Sequence, residues 1–483
     1  MKFTILNSII LFCFFALTSC ESDLDVEQKG ALTEADFLNN PENAIKIVNA
    51  VYAKQLAFNM YSFSWIGMTS ITSDNADKGS TPGDTGADKH KMDNLNFDAS
   101  DISVLEVWTA RYEGINLANT ALKYLEKLNI DNALKNRLIG ETKFLRALFY
   151  FDLVRCYGGV PLVTSEININ DANAINETVY TRKSKEQTYI QIENDLQDAM
   201  QKLPLKSEYS QNDVGRATRG AAQSLLAKAY LYQQKWQAAF DMSGNVINSF
   251  QYSLLQNYDD VWREVGENKS ESIYEVQATL TNGLNGYSNV QGGRGTPDLG
   301  WGFNTPSLNL SNSYQSGDNR KAATIMFVPS VLWDGFYAPI TLSNPRYNYK
   351  AYQSTISEPW DGNRENTAKN HRILKYSDIL LIRAEAALNL NNVTEALVQV
   401  NSTRNRAGLP NLTTLTMLDL LNERRWEMAM EFDRWFDLIR TGQAESKMAA
   451  DGKTFIVGKH ELFPIPEAQR ILSSGKLLQN PGY

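Results

Sequence analysis

Histidine and cysteine are nearly missing from this chain, with three of each in 483 residues. His90, His371 and His460 stand far apart, and no two share the i, i+4 spacing that offers paired imidazoles to one zinc ion. A zinc or histidine-based centre is therefore not expected; Asp84 and Asp88 are loop carboxylates open to calcium, without the pattern of an EF-hand. Of the cysteines, Cys13 lies in an apolar leader and Cys20 follows it, which leaves Cys156 alone and excludes a disulfide within the mature chain. Cys156 ends an apolar helical stretch and reads as a small buried hydrophobe. Beyond the leader no apolar run reaches the roughly 18 residues of a membrane helix. Basic charge is also short, with 47 Lys and Arg against 55 Asp and Glu. An acidic surface repels phosphate backbones, so nucleic acid is excluded as a partner. Gly292-Gly293-Arg294-Gly295 lacks the lysine and following Ser/Thr of a phosphate-binding loop, and reads as a flexible turn.

What is present begins with Lys2 and an unbroken apolar run of nine from Ile9 to Leu17, the layout of an export signal over residues 1–19. It ends in Leu17-Thr18-Ser19-Cys20, a lipobox, which makes Cys20 the expected site of lipidation and lipid the only membrane anchor. Residues 20–30 then form a solvated tether, with four acids among the seven residues Glu21 to Glu27.

The 464 residues that remain after the leader suffice for a large core, and helical periodicity dominates their first half. Phe144, Leu148 and Phe151 mark one helix face in Glu141–Tyr157, and Gly158-Gly159 with Pro161 stops it. Around Ala227, Tyr230 and Ala239 the pattern is that of a tetratricopeptide pair, where small residues let two helices approach. Ala384, Ala387 and Ala396 repeat those offsets 157 residues later, with Asn389 to Asn392 as the turn. Between the copies, residues 255–368 lose the helical period and fill with Gly, Asn, Pro, Ser and aromatics; Thr72 to Ser100 is a smaller loop-rich stretch. The expected fold is mostly α, a helical scaffold with a large loop-rich insertion whose aromatics argue for function rather than disorder.

Five blocks carry a likeness to a known family. They are WTARYEGINLANTAL from Trp108, ETKFLRALFYFDLVRCYGGVPLV from Glu141, GRATRGAAQSLLAKAYLY from Gly215, KYSDILLIRAEAALN with NSTRNRAGLP between Leu374 and Pro410, and NERRWEMAMEFDRWFDLIRTG ending at Gly442. The ending, Leu462-Phe463-Pro464-Ile465-Pro466 and Gln479-Asn480-Pro481-Gly482-Tyr483, is the most specific. Together they resemble the SusD/RagB family over most of the mature chain, and the acidic run after Cys20 resembles the surface-export tag of Bacteroidota lipoproteins. The resemblance implies a SusD-like N-terminal helical region over 31–250 and a C-terminal region over 251–483. It further implies a cell-surface outer-membrane protein without catalysis or cofactor, which holds an oligosaccharide over a SusC-type TonB-dependent transporter.

A sugar ring asks for a flat apolar surface edged by a few polar groups, which Trp and Tyr supply. The candidates are Trp301, Trp333, Tyr337 and Trp360 in the insertion and Trp65 ahead of the smaller loop, with Asp74, Asn75 and Asp77 as hydroxyl partners. Glu423, Glu427 and Glu431 stand at i, i+4 and i+8, but the interleaved Arg424, Arg425 and Arg434 read them as ion-pair support for a packed helix. Rival readings are a peptide-import lipoprotein, a barrel lid with little glycan affinity of its own, and a lipid-anchored glycoside hydrolase, which needs two carboxylates roughly 5–10 Å apart.

Overall fold

The computed structural model describes residues 34–483 apart from 82 and 85; the export signal, Cys20 and the tether lie outside the described residues. The scaffold is a run of helices: α1 (Asn43–Lys54), α2 (Ile102–Lys127), α3 (Asn132–Tyr157), α4 (Lys185–Lys202), α5 (Arg219–Tyr232), α6 (Trp236–Asn248), α7 (Tyr376–Asn389) and α8 (Val393–Arg406). From α2 to α8 each helix packs on the next, and α1 covers α2 and α3.

The Asp131 carboxylate caps α3 by accepting from the amides of Ala133 and Leu134, and the helix ends at Gly158, whose φ of 72° a side chain would resist. Every residue from Phe144 to Val154 is buried, because α1, α2, α4 and α5 close around the helix. Burial pushes the Cys156 thiol up to about 12. A thiol reagent at pH 8 is therefore expected to leave the folded protein untouched and to label Cys156 fully in concentrated urea; labelling at equal rates in both conditions would place the residue outside the core.

The two tetratricopeptide-like pairs, α5/α6 and α7/α8, are alike down to their turns. Gln234 and Asn391, again 157 residues apart, each adopt a left-handed conformation, with φ of 56° and 61°. Although far apart in sequence, the pairs are neighbours in space. At their junction Gly244 leaves room for Arg383, whose guanidinium lies 3.8 Å from the Phe240 ring centroid and donates to the Phe240 carbonyl at 2.9 Å.

The insertion thus leaves the helical stack after α6 and returns at α7. Its stem is an antiparallel ladder of β2 (Ser272–Val276) with β10 (His371–Lys375), the latter running straight into α7. Farther out, β3 (Leu284–Asn285) pairs with β9 (Asn366–Thr367), β5 (Ile325–Phe327) with β8 (Arg346–Asn348), and β6 (Ser330–Val331) with β7 (Tyr337–Ala338). The smaller loop-rich stretch joins it, as β1 (Ala76–Gly79) pairs with β4 (Phe303–Pro306). The expected flexible turn at Gly292 is instead tightly closed. Side chains at Gly292 or Gly300 would strike the facing backbone, and the Leu299 and Trp301 amides donate to the Gly293 and Asn289 carbonyls, both at 2.8 Å.

Helix α9 (Met417–Glu427) corrects the reading of the acidic block. It stops at Glu427, so Glu431 lies beyond its end; Glu423 and Glu427 are buried and Glu431 is half-buried. Their partners are not the interleaved arginines but cations brought from elsewhere. Glu423 pairs with Arg320 (2.6 Å) and Arg404 (3.3 Å), Glu427 with Arg406 (2.5 Å) and Lys375 (3.2 Å), and Glu431 with Lys350 (2.6 Å) and Lys375 (2.9 Å). Burial alone would raise the Glu427 carboxyl, yet Arg406, Lys375 and Arg320 hold it well below the usual range. Arg424 instead reaches Asp378 at 2.5 Å and Asp437 at 2.7 Å, which ties α9 to α7 and to α10 (Arg434–Arg440).

Candidate glycan-binding site

Three of the expected sugar contacts are interior. Trp65 is 3% exposed and lies between the Arg111 guanidinium, 4.2 Å from its ring centroid, and the rings of Tyr61 and Phe436. Asp74 is fully buried and forms a two-point pair with Arg434 (2.7 and 2.8 Å), with Arg425 at 3.2 Å. Burial pushes its carboxyl up, but the two guanidinia outweigh this and hold it at about 2. Asn75 accepts from Arg425 at 2.8 Å. Residues 72–76, expected as a surface loop, are a buried strut between the insertion and α9–α10, because long-range ion pairs override the local polar composition.

Asp77 is the fourth polar candidate. With Asp93, His90, Asn344 and Arg346 it lines an open cavity of about 400 Å³ where β1 meets β4. Burial, then the Asp93 carboxylate, pushes Asp77 up to about 6, while Lys453 binds Asp93 at 2.9 Å. A carboxyl raised in the folded state contributes most below its unfolded value near 3.8 and loses that contribution as pH rises through 6. Urea titrations should therefore show Asp77→Asn gaining on the wild type by about 2–3 kcal/mol between pH 4 and pH 7.5; a difference independent of pH would refute the raised carboxyl.

The insertion aromatics keep surface. Trp360 is half-buried, with the Arg364 guanidinium 5.3 Å from its ring centroid, and it edges a small trough with Asn289, Leu299, Tyr352, Gln353 and Thr355. The trough encloses only about 30 Å³, so a sugar would lie on it rather than within it. Asn289 is fixed by donating to Glu365 at 2.7 Å. Trp301, half-buried on Phe58 and Phe63, donates a hydrogen bond from its backbone amide to the Asn289 carbonyl.

From the trough two buried rings, Tyr352 and Tyr349, lead to Trp333. The Tyr352 hydroxyl donates to Asp334 at 2.8 Å, the Tyr352 and Tyr349 ring centroids are 5.7 Å apart, and the Tyr349 hydroxyl accepts the Trp333 amide at 2.8 Å. Trp333 is 41% exposed and has the Arg263 guanidinium 5.4 Å from its ring centroid. Tyr337, 56% exposed, stands opposite Val331 on the β6–β7 hairpin. Sequence reading missed Tyr352, Gln353, Asn289 and Arg364. Of these only Arg364 carried a local signal, four residues after Trp360 across the turn-forming Asp361-Gly362-Asn363. Beside the trough, sharing Gln353, opens a cavity of about 360 Å³ lined by Glu264, Glu267, Leu280, Glu358 and Lys369 among others.

Residues 24–231 match the family described as starch-binding and associating with the outer membrane, and residues 335–483 match the SusD family. The chain belongs to the SusD/RagB family. A SusD-like protein of Bacteroides ovatus is 26% identical over 71% of this chain and 66% of its own length. SusD-like protein P2 of Formosa agariphila is 25% identical over 97% of both chains. Among solved structures, a laminarin binding SusD-like protein superposes with a TM-score of 0.78 at 29% identity, over 92% of this chain and 100% of that one. The tetratricopeptide-like scaffold with its loop-rich insertion is thus the SusD-like fold. Among the described residues no helix of this SusD/RagB protein is long and apolar enough to cross a membrane.

Proposed function

We propose that this SusD/RagB protein is a surface glycan-binding lipoprotein. It captures oligosaccharides on the Trp360 trough and delivers them to a SusC-type TonB-dependent transporter, anchored to the outer membrane through lipid on Cys20. The observation that carries the reading is the trough edged by Trp360, joined through the buried rings of Tyr352 and Tyr349 to the exposed Trp333 and mounted on the fold of a laminarin-binding relative. The half-buried Trp360 ring, edged by Asn289, Gln353 and Arg364, offers what a pyranose face and its hydroxyls need. A barrel-lid role is favoured for one part of the surface, the hairpin where Val331, Tyr337 and Ile340 are 69%, 56% and 72% exposed, since contiguous exposed apolar groups mark protein interfaces.

Calorimetric titration of the form beginning at Glu21 tests the reading, against plant, microbial and host oligosaccharides headed by laminarin and with a peptide mixture alongside. Heat from a glycan and recovery of that glycan intact is the expected result. Heat from the peptides alone would replace it with peptide import. New reducing ends would replace it with hydrolysis, for which Glu267 and Glu358, facing one cavity, are the carboxylates to test.

A further inference from the structure

We propose that the cavity beside the Trp360 trough is an end-subsite, in which the terminal, uncharged sugar of an oligosaccharide seats while the preceding sugar lies on Trp360. The inference rests on the glycan-binding reading and adds to it which part of the chain is recognised and of what charge. At about 360 Å³ the cavity falls within the roughly 300–1,000 Å³ of ligand pockets, whereas the trough encloses only about 30 Å³. Gln353 lines both and forms the sill between them, its amide donating to the Pro359 carbonyl at 2.9 Å.

The cavity has an inner wall and a mouth. The wall includes the side chains of Lys369 and Glu358, only 3% and 4% exposed, whereas Leu280 at the rim is 39% exposed. A sugar that crosses Gln353 from Trp360 would meet these buried polar groups at the inner wall, where the proposed chain end sits.

The polar groups are held in place before any ligand arrives. Glu358 accepts from the Glu264 and Ser354 amides at 3.1 and 2.8 Å, Glu267 accepts from the Asn370 amide at 2.8 Å, and Lys369 donates to the Tyr352 carbonyl at 2.6 Å with Glu358 4.0 Å away. Fixed acceptors and a donor around an apolar rim suit ring hydroxyls. Glu264, Glu267 and Glu358 against the one cation Lys369 make the lining acidic, which disfavours a uronate or sulfate ester. Burial raises Glu267 to about 7 and lowers Lys369 to about 7.

The test titrates the soluble protein with laminarihexaose, with polymeric laminarin and with a hexameric oligouronate, using wild type, Leu280→Trp and Thr281→Trp. Both substitutions plug the mouth from exposed positions, and circular dichroism checks that each variant is folded. The expected result is one protein per chain for hexaose and polymer alike, at least a tenfold loss of affinity in the plugged variants, and no heat from the uronate. Several proteins per polymer chain, or plugged variants binding as wild type does while Trp360→Ala fails to bind, would overturn the end-subsite and leave the glycan reading standing. A uronate bound as tightly as the hexaose would overturn the charge selection. No heat from wild type with any of the three probes would overturn both readings.

Discussion

Asp74→Ala is expected to lower the free energy of unfolding by about 3–5 kcal/mol, although it removes only the three heavy atoms of a carboxylate. The cost comes from what stays behind, since Arg434 and Arg425 remain buried with their shared carboxylate gone. These contacts join residues about 350 positions apart, so the loss should also loosen the β1–β4 pairing that fastens the smaller loop to the insertion. The sign of the pH dependence follows from the lowered carboxyl. Its contribution is present above the unfolded value near 3.8 and lost as pH falls through about 2, a span of ~2 kcal/mol that Asp74→Asn should lack. Urea titration of wild type and both variants at neutral and acid pH checks this. A neutral-pH loss below about 1 kcal/mol would mean that water reaches the guanidinia and the strut carries little.

The second large effect is on binding. Trp360→Ala should weaken the best glycan by about 2 kcal/mol, close to thirtyfold in Kd, because the open part of its ring lies at the edge of the trough, where a sugar would stack. Its effect on stability should stay within about 0.5 kcal/mol. Trp65→Ala is the natural contrast. Packed between Arg111, Tyr61 and Phe436, that ring should cost about 3–5 kcal/mol of stability on removal, and any lost binding should follow lost folding. If Trp65→Ala remained stable while failing to bind, the assignment of the two tryptophans would have to be exchanged.

Much of the scaffold was legible from residue order alone. The period of Phe144, Leu148 and Phe151, the stop at Gly158, and the repeated alanine offsets are local properties, set by helix geometry within a few turns of chain. So was the acidic balance of the chain's charge. The loop-rich insertion could be bounded because it breaks that period, and its tryptophans could be named as candidates because aromatic side chains are out of place in polar loops.

What composition and spacing could not decide was which polar groups face water. Asp74 and Asn75 looked like loop residues offering hydroxyl partners, and became a buried strut because arginines from near the other end of the chain came to meet them. Glu423, Glu427 and Glu431 looked like partners of their neighbouring arginines, yet they pair with Arg320, Arg404, Arg406, Lys350 and Lys375, none of which lies on α9. Trp65 and Trp360 are the same side chain in similar polar-aromatic contexts, one enclosed and the other at the surface. The physical reason is common to these cases: helical period is written within a few residues, whereas burial and charge pairing depend on segments hundreds of positions apart, which only the folded chain brings together.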